Sequence, residues 1–123
     1  MSNAIEIQVK THYIEDQSKP EEGQYVYAYT IRIENQCPSN VQLLSRKWTI
    51  TDAKDQIQEV EGIGVVGEQP VIAPGESYTY TSGAVIATAS GTMSGSYSFK
   101  SDNGEQFEAP IPTFALVRPE LLH

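Results

Sequence analysis

Three groups of residues in this chain have types and spacings that chemistry uses. The sharpest is Glu61-Gly62-Ile63-Gly64-Val65-Val66-Gly67-Glu68-Gln69-Pro70, which carries the pattern Gly-x-Gly-x-x-Gly. In a dinucleotide fold such glycines permit a tight turn and a close backbone approach to pyrophosphate, which the N-terminus of the following helix then holds. The surroundings here point elsewhere. Gln69-Pro70 and Val71-Ile72-Ala73-Pro74 follow in place of a helix, and Glu61 and Glu68 set negative charge on both sides of the loop. A glycine loop with unusual φ angles at one end of a sheet structure is the favoured reading; nucleotide binding is the alternative.

The second group is acidic. Asp52, Asp55, Glu59 and Glu61 could offer oxygen ligands to a hard cation such as Mg²⁺, or an acid and a base of different pKa. Their spacing does not match an EF-hand loop, however, and Thr51-Asp52-Ala53-Lys54-Asp55 reads as a hairpin turn with solvated charges. Glu21 and Glu22 lie in another loop and add to the negative surface field. The third group holds the nucleophile and base candidates: His12, His123 and Cys37, the last in a turn before Pro38. None has a partner for a triad and no Gly-x-Ser-x-Gly elbow exists, so the expectation is a protein that is not an enzyme, with no cofactor and no metal ligands.

Composition bounds the remaining choices. The chain has 123 residues, 39% of them hydrophobic and 20% charged, which suits one globular domain over 1–123, with an ordered core expected from about 5 to about 116. The formal charge is −8, and the 8 Lys and Arg residues are scattered, so a nucleic-acid partner is not expected. One cysteine excludes an internal disulfide and fits a reducing compartment. Without a basic-then-apolar leader, or an apolar run of about 18 residues, neither secretion nor a membrane partner is expected, and the protein is read as cytoplasmic.

The elements that must position these residues follow from a period of two. Tyr25, Tyr27, Tyr29, Ile31 and Ile33 make one face of a strand; Ile5, Ile7 and Val9 another; Tyr78 and Tyr80 a third; Met93, Tyr97 and Phe99 a fourth, with Gly95 where a bulge would fit. Turn signals separate them, the strongest being Asn103-Gly104 between two alternating runs. No amphipathic helix stripe is present. The pattern predicts an all-β antiparallel sandwich of about seven strands, with Trp48 in the core of an inner strand. Three prolines, Pro110, Pro112 and Pro119, predict an irregular tail after 107–111. Lys10, Lys100 and the prolines are expected to guard sheet edges.

One set of segments carries more than periodicity. Val41-Gln42-Leu43-Leu44-Ser45-Arg46-Lys47-Trp48-Thr49-Ile50-Thr51-Asp52-Ala53 is followed in order by Glu59 to Pro70, Ala73-Pro74-Gly75-Glu76, Tyr80-Thr81-Ser82-Gly83 and Gly91-Thr92-Met93-x-Gly95-x-Tyr97. Over most of its length the chain thereby resembles the bacterial ApaG family, also called CorD. Two positions depart from the family pattern: Lys47 where a His is expected, and Ala89 where a Pro is usual. The resemblance implies a fibronectin type III-like (immunoglobulin-like) sandwich, an association with cobalt resistance and magnesium efflux, and kinship with domains that look like protein-binding modules. The combined expectation is a non-enzymatic module that binds a protein partner through Arg46, Trp48, Gly62, Gly64, Val65, Val66, Gly67, Glu68, Gln69 and Pro70. The alternative is a protein that responds weakly to a nucleotide or divalent cation through the Gly62–Gly67 loop.

Overall fold

The computed structural model describes residues 4–118; Pro119 and His123 lie outside them. Strands β1 (Ile5–Tyr13), β2 (Tyr25–Asn35) and β6 (Ser77–Ile86) form one antiparallel sheet in the order β1-β2-β6. The second sheet runs β4-β3-β7-β8, from β4 (Ile57–Ile63), β3 (Val41–Asp52), β7 (Ser90–Ser101) and β8 (Gln106–Val117). The eighth strand, beyond the expected seven, is β5 (Val71–Ile72), a two-residue piece that pairs with Val41 and Gln42 of β3. The two sheets make the antiparallel sandwich that alternation predicted, and the described residues outside it hold only single 3₁₀ turns at Glu15–Gln17 and Pro20–Glu22.

Alternation decides what is inside. Tyr27, Tyr29, Ile31 and Ile33 of β2 are buried, as are Trp48 and Ile50 of β3 and Met93, Tyr97 and Phe99 of β7. The Tyr25 end of the β2 stripe is only half-buried, because it lies at the rim of the sheet. Trp48 sits between β4 and β7 in the strand order and meets Tyr29 of the opposite sheet, with ring centroids 5.4 Å apart, and Phe114 of β8 at 5.8 Å, both edge-on. Such edge-to-face pairs add about 0.5–1.5 kcal/mol beyond area burial. Buried Asn35 satisfies its side chain fully: Nδ2 donates to the carbonyls of Ser39 and Ile72, and Oδ1 accepts from the Cys37 amide. It thereby fastens the turn after β2 to β5.

Two expectations need correction. The chain does not become irregular after 107–111, since β8 continues to Val117 through Pro110 and Pro112. It can do so because β8 is an edge strand, where a proline facing away from its neighbour costs no ladder bond, and because the register shifts between Met93 and Gly95, which leaves Pro112 in a bulge. Lys100 guards no edge: it lies in β7 between Gln42 of β3 and Gln106 of β8. Lys10, on β1, does lie on an edge.

The sheets are also joined through a hydrogen bond between the hydroxyls of Tyr80 on β6 and Tyr97 on β7. Burial pushes both phenols above their ordinary value of about 10. Tyr97→Phe should therefore cost about 1–3 kcal/mol by leaving the Tyr80 hydroxyl buried and unpaired, while the Tyr80→Phe/Tyr97→Phe double variant should cost less than the sum of the singles. Urea denaturation of the four proteins checks this. Above about pH 10 the unfolded chain loses both phenolic protons and the folded chain keeps them, so stability should fall as pH rises, and less steeply in the double variant.

Candidate functional site

A change of phase in β3 builds the site. Val41 and Leu43 are buried at odd positions, Trp48 and Ile50 at even ones. The switch occurs where the register against β7 shifts between Leu43 and Ser45. A bulge of this kind moves every later side chain to the opposite face, so Arg46 comes to share the inner face with Trp48, and Lys47 is exposed on the outer one.

Arg46 then reaches across to β4 and the loop that follows it. Its Nη1 donates to the carbonyl of Gly64 at 2.8 Å and to that of Ile63 at 3.3 Å. The guanidinium lies against Gly62, where a Cβ would stand 2.6 Å from Nη1. Further bonds close the loop onto β3: Gly64 N–H and Gln69 Nε2 both donate to the Leu44 carbonyl, Gln42 Nε2 donates to the Gln69 carbonyl, and Leu43 N–H donates to the Pro70 carbonyl. Leu44, the residue at the bulge, thus offers its carbonyl to the loop.

Within the loop, Val65 and Glu68 exchange both backbone hydrogen bonds, at 2.8 and 2.9 Å, around Val66 and Gly67. Both central residues have positive φ, 48° and 82°, the type I′ hairpin pattern that favours Asn, Asp and Gly. Gly64 also has positive φ, and a Cβ there would overlap the Glu68 carbonyl oxygen. Val66 is the outlier, because a β-branched residue in the left-handed region is strained by about 1–3 kcal/mol. Its side chain is 61% exposed. The neighbouring surface is apolar too: Ile63 is 77% and Val71 60% exposed.

The structure brings together most of the residues singled out from sequence. Arg46, Gly62, Gly64, Gln69 and Pro70 make the anchored base of the loop; Val66, Gly67 and Glu68 are its exposed tip. Trp48 and Val65 are buried at 2% and 0% exposure and support the site from beneath rather than lining its surface. Sequence reasoning missed Ile63 and Val71, although both are large apolar residues flanking a glycine loop, which was the available signal. As for the other chemistry, the Gly64, Val65 and Glu68 amides already donate to carbonyls of the chain, so they are not aimed at an external anion. Oδ1 of Asp52 accepts the amides of Lys54 and Gln56, which is the turn predicted for this segment. Among the described residues no group of three or more His, Cys, Asp and Glu is gathered to hold a metal ion.

Comparison with known proteins agrees with the geometry. A family model described as the ApaG domain matches residues 15–101. The chain is 53% identical to Protein ApaG of Thiobacillus denitrificans over 97% of its own length and 94% of that protein's. It is 54% identical to Protein ApaG of Maricaulis maris, covering 96% and 91%. Among solved structures, an ApaA protein from Bordetella pertussis superposes with a TM-score of 0.91 at 47% identity, covering 94% of each chain. A second X-ray structure, of a structural genomics target, gives 0.94 at 48% identity, covering 99% of this chain and 92% of that one.

Relieving the strain at the loop tip should stabilise the protein. Val66→Asn is expected to raise stability by about 1 kcal/mol, because Asn tolerates positive φ. Gly64→Ala should lower stability by about 2 kcal/mol or more, since it adds left-handed strain to a clash with backbone. Gly67→Ala, where a Cβ meets no atom within 4 Å, should cost only the backbone part, about 1 kcal/mol. Denaturant midpoints of the three variants test this order.

Proposed function

Since this chain belongs to the ApaG domain family, we propose that it is a non-enzymatic interaction module that binds a protein partner through the Gly62–Pro70 loop. The observation that carries this reading is Val66, a strained and exposed apolar residue held on a rigid turn. Strain that the surrounding structure over-determines is stored where it serves recognition or chemistry. An exposed valine offers no chemistry, which leaves recognition. The loop keeps its shape because Arg46 and Gln69 tie it to β3 at both of its ends. A loop fixed before it meets its partner loses little entropy on binding, and Ile63, Val66 and Val71 supply the apolar contact.

On this reading the partner is met in the cytoplasm, and the association with cobalt resistance and magnesium efflux acts through that partner. The alternative, a response to a nucleotide or divalent cation at the same loop, has less support, because the Gly64, Val65 and Glu68 amides donate within the chain and Glu61 and Glu68 flank the loop. Affinity capture from native lysate with the wild type, Val66→Asn and Arg46→Glu, each with and without divalent cations, separates the two. Capture of a partner that both substitutions reduce at least tenfold, with the sandwich still folded by circular dichroism, is the expected result. Equal recovery by wild type and Val66→Asn would remove the reading. Calorimetric heats with diadenosine tetraphosphate, ATP, Mg²⁺ or Co²⁺ would favour the alternative.

A further inference from the structure

The sandwich is open along one side. β4 ends one sheet and β6 ends the other, and the gap between them holds two adjoining cavities of about 300 and 220 Å³. Gln58 of β4 and Val85 of β6 line both. Val60, 36% exposed, and Val85, 53% exposed, set two apolar side chains at the mouth of the gap, beside the polar Gln58, Ser82 and Arg46. Trp48 lines the larger cavity, and its buried Nε1 donates to no acceptor in the protein. An unpaired buried N–H is costly, so this one takes its acceptor from whatever enters the cavity, water or a carbonyl of a bound chain.

Both edges beside this gap, β4 and β6, lack a lysine, a proline and a bulge, and β4 differs from β6 in carrying two carboxylates, Glu59 and Glu61. β1 carries Lys10, and β8 carries Pro110, Pro112 and a bulge, all devices that discourage pairing with another strand. β4 has no lysine, proline or bulge, and its residues from Ile57 to Ile63 are exposed apart from Gly62. Its alternation gives it two distinct faces. Gln58 and Val60 look into the gap, while Glu59 and Glu61 share the other face. Lys47 stands across the sheet from Glu61, but Glu59 has Thr49 in register.

We propose that the free edge of β4 takes up an extended peptide strand in which apolar residues alternate with lysine or arginine. The apolar side chains cover the Val60–Val85 gap, and the basic ones lie opposite Glu59 and Glu61. Main-chain bonds to the edge supply affinity, and the alternating side chains supply selectivity. A second copy of this chain is the poorer occupant. Fully overlapped antiparallel pairing of β4 with itself sets Glu59 opposite Glu61 twice, and like charges directly opposite repel. The overall charge of −8 adds to that repulsion.

This inference deepens the interaction reading above, and the test is arranged so that the two fail separately. The probes are three nine-residue peptides: alternating Val and Lys, alternating Val and Glu, and the Val/Lys composition with its residues grouped in blocks. Fluorescence of Trp48, the sole tryptophan, follows binding to the full chain, and amide hydrogen exchange locates it. The alternating Val/Lys peptide is expected to slow exchange across residues 57–63 and to bind at least tenfold more tightly than the other two. Glu59→Lys/Glu61→Lys should weaken it at least tenfold and reverse the preference toward the Val/Glu peptide, and Val60→Lys should weaken it as well. Protection on β1, β6 or β8 in place of β4 overturns the proposal, as does equal binding by the block peptide, or a β4-mediated dimer that the peptide does not displace. A captured partner that depends on Val66 but is indifferent to Glu59→Lys/Glu61→Lys also overturns it, while leaving the interaction reading intact.

Discussion

The bulge between Leu43 and Ser45 is the constraint on which the rest depends. Without it, Val41 and Leu43 would continue their phase into Ser45 and Lys47, and the inner face of β3 would present a serine and a lysine to the core. With it, Trp48 and Ile50 enter the core, and Arg46 enters beside them at its margin. One inserted residue therefore does two things. It gives the sandwich its aromatic centre, where Trp48 meets Tyr29, Tyr97 and Phe114. It also frees the Leu44 carbonyl to receive the Gly64 amide and the Gln69 side chain. The core and the loop are thus set by the same irregularity, and the loop's shape is coupled to core packing rather than being a decoration on it.

The coupling explains how Val66 is kept at positive φ. A free hairpin would relax such a residue, since the strain is comparable to the stability of a single turn. Here both stems are fixed independently of the tip. On the β4 side Arg46 holds the Ile63 and Gly64 carbonyls, and on the β5 side the Pro70 carbonyl accepts from Leu43. The buried Val65 locks the first residue of the turn into the core. The price is met by contacts made elsewhere, and the result is an apolar tip that is presented in one conformation.

The fold was legible in the sequence because strands report their buried face through period two, and the stripes of β2, β6 and β7 each keep one phase from end to end. β3 was harder. Its stripe changes phase between Leu43 and Trp48, which alternation alone registers as noise unless a bulge is allowed for. The β8 prolines misled for a different reason: a proline forbids a ladder bond only on the side where a neighbour exists, and sequence does not say which strand lies at an edge. Asn35 and the Tyr80–Tyr97 pair were invisible, because their roles lie in contacts between segments distant in the chain. The open side between β4 and β6 belongs to the same class. Exposed Val60 and Val85 look ordinary in sequence and acquire meaning only when two sheet edges face one another.

The Gly-x-Gly-x-x-Gly pattern shows how far a motif depends on its frame. Each glycine has a use here, but none for the reason it has in a dinucleotide fold. Gly62 is small so that the Arg46 guanidinium can lie across the backbone; Gly64 has positive φ and makes room for the Glu68 carbonyl; Gly67 completes the type I′ turn with Val66. A phosphate cradle needs free amides converging on one point and a field that welcomes negative charge. This loop directs its Gly64, Val65 and Glu68 amides to carbonyls of the chain and carries a glutamate on either flank. The same three glycines that would draw a backbone toward an anion instead draw it against itself, and what they leave outward is an apolar tip.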